Sequence, residues 1–249
     1  MLCFVKQLET VKMNSFLRAT AFITLIAGAG CHTDKQMAKP SGFELLFPND
    51  GVPTGWTTRH WAEVRDPVKE ETNPWKVEGG VLNGNDSIGS WLLSEKEYSD
   101  FILDFDWKLG ARGNSGTALR APLYGDPAFD GMELQMVDPR YYPASMKVPT
   151  SELTASLYKA VAPMVQAYKP TEWNHYHITC IGPKVQVELN GQKVLDVNLD
   201  EQTTPTKRHN GTAAPPLRDR PRTGHIGFQE LSKDEGHVEI RNAQIKVLK

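Results

Sequence analysis

FILDFDWKL, residues 101–109, decides the fold. Phe101, Leu103, Phe105, Trp107 and Leu109 fall on one side of an extended chain, and Asp104, Asp106 and Lys108 on the other. A period of two is the signature of a half-buried strand. The same alternation recurs downstream. Residues 116–121 set Ala118 and Arg120 against Thr117 and Leu119, and residues 132–137 set Glu133 and Gln135 against Leu134 and Met136. Further strands are expected at 176–181, 185–189, 192–197, 225–229 and 238–247. Between them, Asn190-Gly191 and Gly79-Gly80 supply the positive φ that tight hairpins need. Many short strands with turns between them predict an all-β fold, a jelly-roll β-sandwich of two antiparallel sheets. One helix is expected, over residues 151–161, where Ser151 can cap and Leu153, Leu157 and Val161 share a face.

Composition narrows the function. The 249 residues carry 28 Lys and Arg against 30 Asp and Glu, a formal charge of −2, which argues against nucleic acid as a partner. Nine Phe, seven Tyr and six Trp are enough to build a sizeable core. The chain divides into residues 1–31, an export signal; 32–41, a polar tether; and 42–249, the β domain. Residues 17–30 (LRATAFITLIAGAG) form an apolar run behind Lys6, Lys12 and Arg18, too short to span a bilayer. Met13 offers a second candidate start. Cys31 follows directly, and the arrangement resembles a bacterial lipoprotein signal, which implies lipidation at Cys31 and a membrane anchor. Ala27-Gly28-Ala29 also suits ordinary signal peptidase, which would leave a soluble exported protein. With Cys3 in the signal and Cys31 acylated, Cys180 stands alone, so the domain is expected to hold by its core without a disulfide.

Two connections, 139–170 and 199–223, are longer than a compact sandwich requires, and loops of that length in compact domains are functional or disordered. The second is rich in Arg, Lys and Pro. Asp104, Asp106, Lys108, Arg120, Glu133, Gln135, His225 and Gln229 all come from the non-core side of strands. Such a mixture of carboxylates, amides, guanidinium and imidazole suits a hydroxyl-rich ligand such as a sugar. An outer sheet face in water would carry a similar list. The tryptophans could add stacking platforms, although Trp107 lies in the core stripe.

From Phe43 to Lys249 the sequence resembles the 3-keto-disaccharide hydrolase domain family. The likeness is carried by Gly42-Phe43-Glu44-Leu45-Leu46-Phe47 with Gly55-Trp56, by Trp75-Lys76-Val77-Glu78-Gly79-Gly80-Val81-Leu82, and by Trp91-Leu92-Leu93 leading to Tyr98-Ser99-Asp100-Phe101. It continues through Asn114-Ser115-Gly116, Leu119-Arg120 and Met132-Glu133-Leu134-Gln135-Met136-Val137-Asp138. Glu172-Trp173-Asn174, Leu189-Asn190-Gly191, Gly224-His225-Ile226-Gly227-Phe228-Gln229 and Glu239-Ile240-Arg241-Asn242 complete it. Ala155-Ser156-Leu157-Tyr158 and Gln229-Glu230-Leu231-Ser232 depart from the family's usual Gly-Ala-Leu-Tyr and Gln-Asp-His-Gly.

The resemblance implies a concanavalin/glucanase-like jelly roll that cleaves the glycosidic bond of a sugar already oxidised at C3. A C3 ketone acidifies the C2 proton, so one base and one donor at the enolate oxygen can suffice for elimination followed by hydration. Ordinary hydrolysis would need a carboxylate pair roughly 5–5.5 Å or about 6.5–9.5 Å apart, for which Glu133 and Asp106 are the candidates. The expected catalytic residues are Glu133 as base or acid, Arg120 at the carbonyl oxygen or orienting Glu133, and Asp106. Gln135, Asn114, His225, Gln229 and Tyr158 would bind substrate. A divalent cation such as Ca²⁺ would stabilise an enediolate, but no motif fixes its ligands; His175 and His177 share a strand face, which fits chelation or plain solvent exposure. The competing readings are a non-catalytic carbohydrate-binding module and a structural surface lipoprotein.

Overall fold

The computed structural model describes residues 42–69, 72–85, 89–234 and 236–248; residues 1–41, where an export signal, Cys31 lipidation and a tether are expected, lie outside them. In chain order the strands are β1 (Glu44–Leu45), β2 (Trp56–His60), β3 (Lys76–Glu78), β4 (Val81–Asn83), β5 (Ser90–Tyr98), β6 (Phe101–Leu109), β7 (Asn114–Ala121) and β8 (Met132–Val137). They continue with β9 (Asn174–Ile181), β10 (Lys184–Leu189), β11 (Gln192–Asn198), β12 (Thr206–Lys207), β13 (Ala213–Ala214), β14 (Gly224–Glu230) and β15 (Val238–Val247). A short helix, α1 (Pro127–Asp130), leads into β8.

Among the described residues, two antiparallel sheets form the expected jelly-roll sandwich. One has eight strands, in the order β11-β10-β9-β6-β15-β4-β3 with β1 also on β15; the other has five, β2-β5-β14-β7-β8. The inner faces close a single large core containing Phe101, Leu103, Phe105, Trp107, Leu119, Leu134, Tyr176 and Phe228. Trp107 stacks on Tyr176 and Tyr168 at 5.3 and 5.4 Å between centroids. Asn190-Gly191 and Gly79-Gly80 make the β10–β11 and β3–β4 turns, with φ of 54° and 77° in the first and 58° and 77° in the second.

The two sheets differ in what covers their outer faces. On β6, buried positions alternate with half-buried ones, as a strand between core and water should. On β7, β8 and β14 every residue is buried. Loops therefore roof the outer face of the five-stranded sheet, and the polar residues that alternation places there are enclosed.

Residues 151–161 do not form the expected helix. Thr150–Glu152 makes one 3₁₀ turn, and Ala155 (φ 71°) and Lys159 (φ 57°) adopt left-handed backbone that interrupts a helix. The segment instead lies along β8, the last strand of its sheet. Gln135 N donates to Ser156 O, Ala155 N to Gln135 O and Tyr158 N to Glu133 O, while Thr154 Oγ1 bonds both the N–H and the carbonyl of Val137. Pairing a bare strand edge outweighs the local helical pattern.

Candidate active site

Register across the five-stranded sheet brings the outer-face residues into rows. Gly116 pairs with Gln135, Ala118 with Glu133, and Asn114 with Val137. Gly227 pairs with Ala118, and Gln229 with Trp91. Glu133, Gln135, Asn114 and Gln229 are thus gathered from three neighbouring strands onto one patch. Gly116 is needed there because Glu133 lies across it: a Cβ on Gly116 would stand 2.7 and 2.8 Å from Glu133 Cγ and Cδ. The patch floors a cavity of about 460 Å³, whose walls include Trp61, Asp126, Tyr142, Tyr158 and His209.

Glu133 is 3% exposed, and none of the described residues donates a hydrogen bond to its carboxyl. Burial, followed by the charge of Asp126, pushes it well above the usual carboxylate range. Asp126 caps α1 by accepting from Ala128 N at 3.0 Å. Burial pushes it up to about 7; the Ala128 N–H opposes this, the charge of Asp130 adds to it, and Arg208 and Arg220 pull it down. Two carboxyl groups that disfavour each other's ionisation therefore share one cavity, and near neutral pH such a pair retains a proton. Burial also raises the Tyr158 hydroxyl and lowers His209, keeping both neutral. Asn114 Oδ1 is buried with no partner among the described residues, so it is a ready acceptor at the cavity wall.

Three expected site residues lie elsewhere. Asp106 belongs to the other sheet, on the outer face of β6, where His175 Nδ1 (2.9 Å), Asn242 Nδ2 (2.8 Å) and Arg241 Nε (3.2 Å) surround it. It cannot pair with Glu133, because the core separates the two sheets. Arg120 has φ 53° at an irregularity where Ala118 and Ala121 of β7 face Gly227 and His225 of β14. The extra residue breaks the alternation and turns the side chain away from the Glu133 patch. Its guanidinium, fully buried, donates to Ser99 O (2.7 Å) and Asp100 Oδ1 (3.3 Å) on the β5–β6 turn that links the two sheets, and to Gly182 O (2.7 Å) on the β9–β10 turn of the eight-stranded one. His225 sits past the same irregularity, with Nδ1 2.6 Å from Ser94 O, and does not line the cavity.

His175 and His177 share a face as expected, but each is engaged with carboxylates. His177 Nδ1 is 2.9 Å from Asp104 Oδ2, and the hydrogen bonds that Asp104 and Asp106 accept from His175 push it up to about 10. Among the described residues no group of three or more His, Cys, Asp or Glu comes together in a way that would hold a metal ion.

Sequence reasoning did not anticipate Asp126 or His209, whereas Trp61 is one of the tryptophans it offered as stacking platforms. Asp126 had one local signal, an Asp before a Pro at a helix start. His209 comes from the long basic loop, which is ordered by a small β12–β13 hairpin. Arg208 grips Asp130 with both terminal nitrogens, at 2.8 and 2.5 Å, and buried Arg220 donates to Ala128 O, Gly131 O and Thr206 Oγ1.

A two-sheet jelly roll with an enclosed carboxyl pair under the loops of one sheet defines the class of molecule. The chain belongs to the family described as 3-keto-alpha-glucoside-1,2-lyase-like domain, which it matches over residues 42–246. It is 27% identical over 166 residues to a 3-keto-disaccharide hydrolase of Bacteroides thetaiotaomicron; the match spans 58% of this chain and 55% of that protein, about half its length. Two crystal structures of provisionally named glycosyl hydrolases from Parabacteroides distasonis are similar. One shares 26% identity with TM-score 0.65, covering 83% of this chain and 99% of that one; the other shares 25% with TM-score 0.62, covering 84% and 94%.

Proposed function

We propose that this protein cleaves the glycosidic bond of a 3-keto-glycoside, with Glu133 and Asp126 as its proton-handling pair. The observation that carries the reading is Glu133 itself: a buried carboxyl without a hydrogen-bond partner among the described residues, facing a cavity lined by amides, hydroxyls and a second carboxyl. Such an arrangement costs stability unless the site uses it. Family membership and the names of the relatives support the same class of substrate.

The chemistry fits a pair that holds one proton. The ionised carboxylate takes the C2 proton, acidified by the C3 ketone, and that bonding pair forms C1=C2. The C1–O pair leaves with the departing oxygen, which takes the proton of the other carboxyl. Water then adds across C1=C2, its hydroxyl to C1 and its proton to C2. Asn114, Gln135 and Gln229 would orient the hydroxyls, and Tyr158 would donate to the ketone oxygen, a role sequence reasoning had given to Arg120. We extend the proposal to export, with lipid attachment at Cys31 holding the domain at a membrane surface.

The direct test is Glu133→Gln assayed on a 3-keto-disaccharide, with products followed by mass spectrometry. Turnover is expected to fall by about 10²–10⁴-fold, the usual contribution of a positioned acid or base. An intermediate lighter than the keto-sugar by one water identifies elimination. Undiminished turnover rejects the assignment, and saturable binding without product would make the domain a carbohydrate-binding module.

A further inference from the structure

A second cavity, of about 300 Å³, adjoins the first. The two share three wall residues, Trp61, Asp126 and His209. The His209 ring stands edge-on to Trp61 at 5.9 Å and to Phe129 at 5.2 Å, so an aromatic partition from the β12–β13 hairpin separates them. Beyond it the smaller cavity is lined by Glu63, Gly125, Arg208 and Asn210.

We propose that the smaller cavity is a binding site for the leaving group, and that it takes a neutral polyhydroxylated ring. The inference rests on the catalytic reading above for which side of the partition holds the sugar that reacts. Three observations set the chemistry of the occupant. Arg208 is neutralised by its two-point contact with Asp130, and Glu63 adds a negative charge, so a phosphorylated or otherwise anionic group is disfavoured. Asn210 spends Oδ1 on Thr212 N (3.0 Å) and Thr212 Oγ1 (2.7 Å), which leaves its amide hydrogens for an acceptor. Glu63 accepts from Gly125 N (2.8 Å) and Arg65 N (2.9 Å) through Oε1 alone, and Oε2 remains to accept from a hydroxyl. An apolar aglycone would strip water from these groups and give nothing back, whereas a sugar ring replaces those bonds and lays its apolar face on Trp61 or His209. With a ring on each side of the partition, the bond between them passes Asp126, the one carboxylate that both cavities share.

Ala62 offers the test, because its exposed methyl lines only the smaller cavity. Ala62→Trp should fill that space. Its kcat/KM would be measured on 3-keto-trehalose and on methyl 3-keto-α-glucoside, and the ratio of the first to the second should fall about tenfold or more, mainly through KM. Asn210→Ala, which removes the amide without narrowing the cavity, should move the ratio in the same direction by less, and circular dichroism confirms that both variants fold. An unchanged ratio in Ala62→Trp overturns the proposal, whether both activities fall together or neither falls. Should the unaltered protein cleave neither substrate, the catalytic reading fails separately. Calorimetry then decides the site: 3-keto-trehalose binding more tightly than 3-keto-glucose, with the difference lost in Ala62→Trp, sustains it, and equal binding rejects it.

Discussion

Asp126 is held by the fold in a state that a carboxylate in water would not choose. Its pKa is raised from an ordinary value near 3.8 to about 7. The folded state therefore prefers the protonated form, and this group's contribution to stability is fully present below about pH 4 and lost as the pH rises through 7. Asp126→Asn keeps the bond to Ala128 N while removing the charge. Thermal melting should show the variant more stable than the parent at pH 8, with the difference vanishing near pH 4; equal melting at both pH values would contradict the shift. Activity should be lost in the same variant, a trade common at sites that store unfavourable electrostatics. Legibility at this scale followed alternation. Glu133, Gln135 and Gln229 were readable because alternation put each on the polar side of a strand, whereas Asn114 came from the Asn114-Ser115-Gly116 motif and proves to open β7. Asp106 obeyed the same rule and was misplaced, since alternation tells inside from outside but not which sheet a strand joins.

At the scale of elements, the strands at 101–109, 132–137 and 238–247 stand where period-two patterning put them. The three-residue strands β3 and β4 carry too few residues for a period to show. The left-handed residue in β7 was equally invisible, because Arg120 has no glycine or asparagine to advertise positive φ. That residue converts an expected catalytic group into a tie between the two sheets. Arg120→Lys should lower the urea midpoint, corresponding to about 1–3 kcal/mol for carbonyls that lose their donors. It should leave KM for a 3-keto-disaccharide unchanged. A large fall in kcat with an unaltered midpoint would instead return Arg120 to the chemistry. The failed helix at 151–161 makes a related point: its apolar spacing was real, but an isolated helix of that length is marginal, and the edge of β8 held unpaired backbone groups that the segment satisfies.

Among the described residues, stability rests chiefly on the large core between the two sheets, and the one described cysteine is free. Cys180 is buried in that core, with its thiol pushed up to about 12 by burial against the opposing charge of Arg120. It should resist alkylation in the native protein and react only across the unfolding transition, a difference peptide mapping would reveal. Labelling of Cys180 without loss of structure would show that the core opens locally. The roof over the five-stranded sheet has the widest consequence. Residues 153–158 both seal the last strand and carry Tyr158 into the cavity, so their length is fixed by strand pairing. Residues added at the tip of the β12–β13 hairpin would leave that pairing in place, whereas residues added here would not. One added residue at 153–158 would shift the seal out of step and bare a sticky edge, turning a change in specificity into a route to aggregation.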